Sequence, residues 1–168
     1  MRKLALAVLL ALASSAPVTA RADLLAFSLD LSLGLPWSTS PTVERMPTNI
    51  MLTPGLVVAS WVSAELGIVA AFAEYTQPSR WAIRPMVGLY PPMLPLYGKL
   101  VIDVANLNQA GGLGTITTVG GALGLMFGIG PVRLFLEADY IPQKVPLPAG
   151  GTQNLQVWEG RLGAGVKL

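Results

Sequence analysis

The run VRLFLEADY at residues 132–140 places its charged side chains at odd positions and mostly apolar side chains at even positions. A period of two is the side-chain alternation of a β-strand, so this strand has one apolar face and one ionic face. The same division recurs in residues 25–33, 96–104 and 158–168, with glycine, small polar or charged residues on the second face. Repeated strands of this kind predict a transmembrane β-barrel with lipid outside and a polar interior.

Composition agrees with a barrel that lies in a membrane. The 168 residues suit a single domain, and 52% are apolar while only 12% are charged. Soluble domains carry about 25% charged residues. Outside the N-terminal segment there is no run of about 18 apolar residues, the length that a transmembrane helix needs. A β-barrel accounts for both the apolar composition and the lack of long apolar runs.

The N-terminus has the features of a cleavable signal peptide. Arg2 and Lys3 precede a short apolar stretch at residues 4–13, and Ala20-Arg21-Ala22 forms a small-residue cleavage site. The sequence therefore predicts a signal peptide at residues 1–22 and a barrel domain at 23–168, with cleavage after Ala20 as the alternative. Without residues 1–22 the chain keeps eight basic and nine acidic residues, which does not predict a nucleic-acid partner.

The predicted fold class is all-β: an antiparallel up-and-down barrel of eight strands. The strands are placed at about 24–35, 50–59, 62–74, 81–90, 95–106, 115–128, 131–141 and 154–168. Longer connections at 36–49, 75–80, 107–114 and 142–153 alternate with tight turns at 59–62, 91–95 and 129–131. Outer-membrane barrels show this asymmetry, with short periplasmic turns and longer external loops. Pro54 and Pro85 fall inside strands, where each loses a ladder hydrogen bond unless it marks a bulge.

The charged residues are sorted by strand position. A charge facing lipid near the midplane costs about 2–4 kcal/mol for Arg or Lys, and the assigned strands place none there. Aromatic side chains with lipid parity at the outer strand ends predict an interfacial girdle of Trp37, Trp81, Tyr140 and Trp158. The interior-facing positions predict a network of Asp30, Glu65, Arg84, Lys99, Asp103, Arg133, Glu137, Asp139, Glu159, Arg161 and Lys167.

Two contacts follow from the strand order. If the short turn at 91–95 sets Tyr90 opposite Tyr97, then Arg84 lies directly across from Asp103. Near the other end of the chain, Arg161 is expected to act as a central plug that bridges Asp30, Glu137 and Glu159, because a guanidinium group has several donors.

In architecture the chain resembles the small eight-stranded outer-membrane barrels, of the type of the OmpA transmembrane domain, OmpX and OmpW. The resemblance rests on the signal peptide, the amphipathic strands, the short turns and a last strand that alternates through Leu162, Ala164 and Val166 to Leu168. It implies residence in the outer membrane of a Gram-negative bacterium. It also implies contact with outer-membrane lipid and lipopolysaccharide, and insertion by machinery that reads the last strand. Members of these families commonly end in an aromatic residue, whereas this chain ends in Leu168.

The residues do not predict catalysis. Outer-membrane barrel phospholipases, lipid A modifiers and omptin-like proteases rely on histidine, and this chain has no histidine and no cysteine. We therefore expect no enzyme activity, no cofactor and no metal site. The preferred function is a structural or surface-interaction barrel with a charge-plugged interior, whose surface ligand the sequence does not name. The alternatives are a narrow, porin-like pore or OmpW-like carrier for small hydrophobic molecules, lined in part by Val57, Val69, Val101 and Met126, and a soluble, exported, lipocalin-like barrel.

Overall fold

A computed structural model describes residues 25–39, 44–59, 61–72, 80–91, 93–109, 112–146 and 152–168. The predicted signal peptide at 1–22 lies outside the described residues. None of the described residues forms a helix long and apolar enough to cross a bilayer.

The described residues form one closed antiparallel sheet. Eight long strands follow each other around the barrel in chain order, and the last pairs with the first through positions such as Leu33 and Leu162. The predicted eight-stranded up-and-down barrel is therefore confirmed. The strands are β1 (Leu25–Ser38), the two-residue β2 (Glu44–Arg45), β3 (Asn49–Val58), β4 (Val62–Ala71), β5 (Arg80–Leu89), β6 (Leu96–Gln109), β7 (Gly112–Ile129), β8 (Val132–Pro146) and β9 (Thr152–Lys167).

The side-chain alternation of the sequence becomes an outside and an inside. In β1 every odd-numbered side chain from Leu25 to Trp37 is exposed, and every even-numbered one from Ala26 to Ser38 is buried. The exposed members are leucines, one phenylalanine and one tryptophan, whereas the buried members include Ser28, Asp30 and Ser32. Strand β1 is thus apolar on its outward face and mainly polar on its inward face, and over the described barrel the interior holds both polar and apolar side chains. The soluble-barrel alternative requires the opposite arrangement.

The three predicted tight turns join strands at one end of the barrel, which we call the inner end. The turn between β3 and β4 is closed by a hydrogen bond from the Trp61 amide to the Val58 carbonyl, 3.1 Å long. Ala59 in this turn and Gly130 in the β7–β8 turn have positive φ angles of 50° and 62°. Glycine adopts such angles without the steric cost that Ala59 bears.

Three of the longer connections, all at the outer end, are shorter than predicted. The prediction of a loop at 107–114 is wrong, because β6 and β7 stay paired as far as Gln109 opposite Gly112. The expected loop at 142–153 is largely ladder as well, since Pro146 pairs with Thr152. Within the expected 36–49 loop, β1 continues to Ser38 and pairs with β2. Glycine, proline and asparagine suggested loops, but adjacent strands of a hairpin can continue pairing through such residues. The connection predicted at 75–80 lies almost entirely outside the described residues.

Pro54 and Pro85 interrupt hydrogen bonding without shifting the strands. The β3–β4 ladder passes from Leu52 opposite Ile68 to Gly55 opposite Glu65 with the register unchanged. The β5–β6 ladder skips two pairs at Arg84 and Pro85 in the same way. Neither ladder gains an extra residue, so neither proline marks a bulge there.

Candidate functional site: the charged barrel interior

Most of the predicted interior charges are buried inside the barrel. Lys167 has the same parity, but it lies at the inner end and is only half-buried. The buried members are Asp30, Glu65, Arg84, Lys99, Asp103, Arg133, Glu137, Asp139, Glu159 and Arg161. They divide into an outer network around two arginines and an inner network around Lys99 and Arg133.

Arg84 is one centre of the outer network. Its Nε donates to Asp103 Oδ1 at 2.5 Å, and its Nη1 donates to Glu159 Oε2 at 2.9 Å. Asp139 Oδ2 lies 3.6 Å from the same Nη1. The strand pairs on both sides of Arg84 confirm the predicted β5–β6 register. The predicted contact between Arg84 and Asp103 is also confirmed. One guanidinium group therefore compensates carboxylates from three different strands.

Arg161 is the second centre. It contacts Glu159 through Nη2 and Asp139 through Nε, the latter at 3.5 Å. It also donates to Ser32 Oγ at 3.1 Å and to Asn49 Oδ1 at 3.2 Å. Asn49 in turn donates to Glu159 Oε1 at 2.7 Å. Asn49 is an uncharged member that charge patterning alone did not reveal, although it has the interior parity of β3.

The expected bridge from Arg161 to Asp30 and Glu137 is wrong. Where β9 closes on β1, Gly34 lies opposite Arg161, and Asp30 lies opposite Gly165 further toward the inner end. Asp30 instead receives two hydrogen bonds from Arg133, at 2.7 and 2.6 Å. Glu137 is opposite Arg161 in the ladder, but its carboxylate pairs with Lys99 at 2.9 Å. Strand parity predicted the face correctly, but it could not predict which long side chains meet across the interior.

Lys99 is the centre of the inner network. Its Nζ lies 3.0 Å from Glu65 Oε2 and 2.9 Å from Glu137 Oε2. The other Glu65 oxygen accepts hydrogen bonds from Ser63 at 2.6 Å and Tyr90 at 2.5 Å. Removing one partner of such a buried pair costs about 3–5 kcal/mol, since the remaining charge is left without compensation.

Aromatic rings fill the barrel beside the inner network. Tyr90 and Tyr97 stack with ring centroids 5.2 Å apart, and Phe135 joins the same buried cluster. Lys99 Nζ lies 5.2 Å from the Tyr97 ring centroid and 5.8 Å from that of Phe135, within cation–π range. We call Tyr90, Tyr97 and Phe135 the aromatic plug. A cavity bordered by this plug has a volume of about 10 Å³, which is room for roughly one water molecule.

Glycines make the aromatic plug possible. A Cβ at Gly124, opposite Tyr97, would lie 2.2 Å from that ring, and a Cβ at Gly163, opposite Phe135, would lie 2.2 Å from the phenyl ring. Sequence reasoning missed the plug, although these rings share the parity of the charges and face glycine on the next strand. An aromatic residue with interior parity opposite a glycine is the sequence signal that could have predicted the aromatic plug.

The suggested pore-lining residues take part in packing. Val69 and Val101 belong to a buried apolar cluster with Met51, Ala82, Met86, Ala105 and Ala122. Val57 is also buried, and Met126 packs against the aromatic plug. In this part of the interior the apolar side chains contact one another.

The four predicted girdle residues lie on the outer surface. Trp37, Trp81 and Trp158 are exposed, and Tyr140 is half-buried. Trp158 lies opposite both Trp37 and Tyr140 on its two neighbouring strands, and its ring centroid is 4.7 Å from that of Tyr140. Exposed Trp61, at the inner end, was not part of the predicted girdle.

Within the described ranges, no group of three or more His, Cys, Asp or Glu side chains is placed to hold a metal ion. The observed polar contacts of the described interior are ion pairs and hydrogen bonds among side chains of the barrel.

No protein-family profile and no curated protein matches the chain. Solved structures do match it. Neisserial surface protein A aligns with a TM-score of 0.59 and 13% identity, over 84% of this chain and 97% of that one. The fold is that of the small eight-stranded outer-membrane barrels.

Two further outer-membrane barrels show the same likeness. The N-terminal barrel domain of Pseudomonas aeruginosa OprF has a TM-score of 0.54 and 10% identity, over 84% of this chain and 97% of the domain. Ail, the attachment invasion locus protein of Yersinia pestis, was solved with the heparin analogue sucrose octasulfate. It has a TM-score of 0.55 and 12% identity, over 86% of this chain and 99% of Ail. At these identities the likeness concerns the barrel fold and does not carry over a ligand.

Proposed function

We propose that this chain is an outer-membrane barrel with a closed, charge-plugged interior, serving a structural or surface-interaction role and not an enzymatic one. The observation that carries the proposal is the filled interior. Two ion-pair networks and the aromatic plug occupy the space through which a solute would pass. With eight strands, a barrel interior is only wide enough for side chains or one small ligand.

A membrane location is supported by the outer surface. The exposed face of β1 alone presents Leu25, Phe27, Leu29, Leu31, Leu33 and Leu35, each at least 44% exposed. A surface of this kind is stable in acyl chains and prone to aggregation in water. The proposed partners are outer-membrane lipid, lipopolysaccharide and the insertion machinery, which the chain would reach after export by its signal peptide.

A surface-interaction role is supported by the outer hairpins. The β6–β7 and β8–β9 ladders continue to Gln109 opposite Gly112 and to Pro146 opposite Thr152. We infer that the extended, paired strand ends of these two hairpins are the part of the described barrel that meets a partner outside the cell. The chemistry of that partner is left open.

Conductance of the protein in planar lipid bilayers tests the closed interior. We expect no stable conductance from the unmodified chain. A triple variant, Tyr97→Ala with Phe135→Ala and Arg161→Ala, removes two rings of the aromatic plug and one arginine of the outer network. This variant should conduct. Arg161→Ala alone should stay closed, because the aromatic plug remains. The unboiled mobility of each variant on a gel controls for folding.

The alternative function, a route for small hydrophobic molecules, would have to pass the packed apolar cluster around Val69 and Val101. A steady conductance of the unmodified chain that the triple variant leaves unchanged would contradict the plugged barrel and favour an open, narrow pore through the interior.

A further inference from the structure

A groove of about 780 Å³ runs across the outward face of the barrel from β5 to β9. Its floor includes Gly98, Gly121 and Ala138, which carry no side chain larger than a methyl group. Lys99 borders the groove as well, but its amine pairs with Glu65 and Glu137 in the interior, so it adds no outward charge.

Bulky side chains form the walls of this groove. Gly98 lies opposite Leu123, and Gly121 lies opposite Leu100, so each glycine is paired with a leucine on the next strand. Leu123 is 72% exposed and Leu100 is 57% exposed, which shows that both project well beyond the floor. The glycines are not required by crowding, because a Cβ at either would meet no atom closer than 3.5 Å. Small residues between projecting leucines therefore leave an open groove along the outer surface.

The groove ends toward the outer end of the barrel at an aromatic pair. Tyr140, opposite Gly121, and Trp158 line it there, with ring centroids 4.7 Å apart. Tyrosine and tryptophan concentrate where acyl chains meet headgroups, because each combines an apolar ring with a polar group. The pair therefore suggests that an occupant enters from the outer leaflet.

We infer that this groove is a binding site for an acyl chain of one outer-leaflet lipid, and the inference rests on the proposed membrane location. The groove is continuous with the apolar surface that would face the bilayer, so only molecules within the bilayer can reach it. A second barrel is convex like this one and would leave the floor uncovered. An acyl chain is slender and flexible, and it can contact the floor and both leucine walls at once.

Lipid retention in detergent tests the site. The barrel is folded into vesicles of dipalmitoyl phosphatidylcholine and transferred to detergent micelles, and bound lipid is counted by native mass spectrometry. We expect the unmodified chain to retain one lipid. Gly121→Leu fills the floor and should weaken retention about tenfold, as loss of about 1.4 kcal/mol of binding would. Ala164→Leu is the matched control, because Ala164 is an exposed, outward residue between Leu31 and Leu134, away from the groove.

Retention by the unmodified chain and by Ala164→Leu, but not by Gly121→Leu, would support the site. A folded barrel that retains no lipid, or that loses it equally in both variants, would overturn the inference and leave the plugged barrel standing. A dimer in place of bound lipid, detected by analytical ultracentrifugation and abolished by Gly121→Leu, would overturn it in favour of a second copy. Failure to insert into vesicles at all would overturn the proposed membrane function together with this site.

Discussion

Gly163 and Gly121 face opposite sides of the barrel wall, and their neighbours differ accordingly. A methyl group at Gly163 would lie 2.2 Å from the Phe135 ring, whereas at Gly121 the nearest atom is the Lys99 carbonyl oxygen at 3.5 Å. Gly163→Ala should lower the free energy of unfolding by about 1–3 kcal/mol, the usual cost of overpacking. Gly121→Ala should not lower it. Urea titration of the barrel in detergent micelles measures both, and Phe135→Leu should restore part of the Gly163→Ala loss. Equal effects at the two glycines would contradict the placement of Phe135.

Arg84 and Asp103 offer a test of the outer network by double substitution. Asp103→Asn removes one of the three carboxylates near Arg84, while Arg84→Met leaves Asp103 uncompensated and takes one arginine from Asp139 and Glu159. We expect Arg84→Met to cost more, about 3–5 kcal/mol. The double variant should lose less unfolding free energy than the two single variants together, because the uncharged asparagine at position 103 does not require Arg84 to compensate it. Simple additivity in urea titrations would mean that the pair does not interact.

At the level of single residues, strand parity predicted which charges are buried but not their partners. The Arg84–Asp103 contact was predictable because a short turn fixes the register of two adjacent strands. The Asp30–Arg133 and Lys99–Glu137 pairs were not predictable, because they join strands that are not adjacent. Their geometry depends on the tilt of the strands and on the conformations of long side chains, neither of which the alternation pattern encodes.

Strand β1 provides a depth test of the membrane location. Leu25, at its inner end, and Leu31, near its middle, are both 57% exposed on the outer surface. In a bilayer, Leu31→Arg should cost about 2–4 kcal/mol of folding free energy, whereas Leu25→Arg should cost about 0–1 kcal/mol near the interface. Refolding into phospholipid vesicles at increasing urea concentration measures the difference. A barrel surrounded by water should tolerate both substitutions equally.

The strands themselves were largely predictable, and their outer ends were not. The period of two and the turn residues located all eight long strands to within a few residues in most cases. The ladder beyond Leu107 and beyond Pro142 was missed, because Gly112, Gly114 and Pro146 signal turns in a local reading. Whether such residues pair depends on the neighbouring strand. In these two hairpins the neighbouring strand stays paired up to Gln109 opposite Gly112 and Pro146 opposite Thr152.

The closed barrel predicts the behaviour of the intact molecule on a gel. The ladder between β1 and β9 closes the described strands into a ring, so dodecyl sulfate should not unfold the barrel without heat. We expect the unboiled protein to migrate faster than the boiled protein. A reductant should change neither mobility, since the chain has no cysteine. A single mobility before and after boiling would contradict a closed and stable barrel.

The pairing of Phe27 with Leu168 also determines when the chain can finish folding. Two hydrogen bonds of 3.1 and 2.8 Å join the backbones of these residues, which stand at nearly opposite ends of the described chain. Contacts between such distant positions carry a large loop-closure entropy and form slowly. Until the last residues of the sequence are available, every partly assembled sheet has two unsatisfied edges that can template aggregation. We therefore expect closure of the ring between β1 and β9 to be a late step of folding, which follows release of the segment that ends at Leu168.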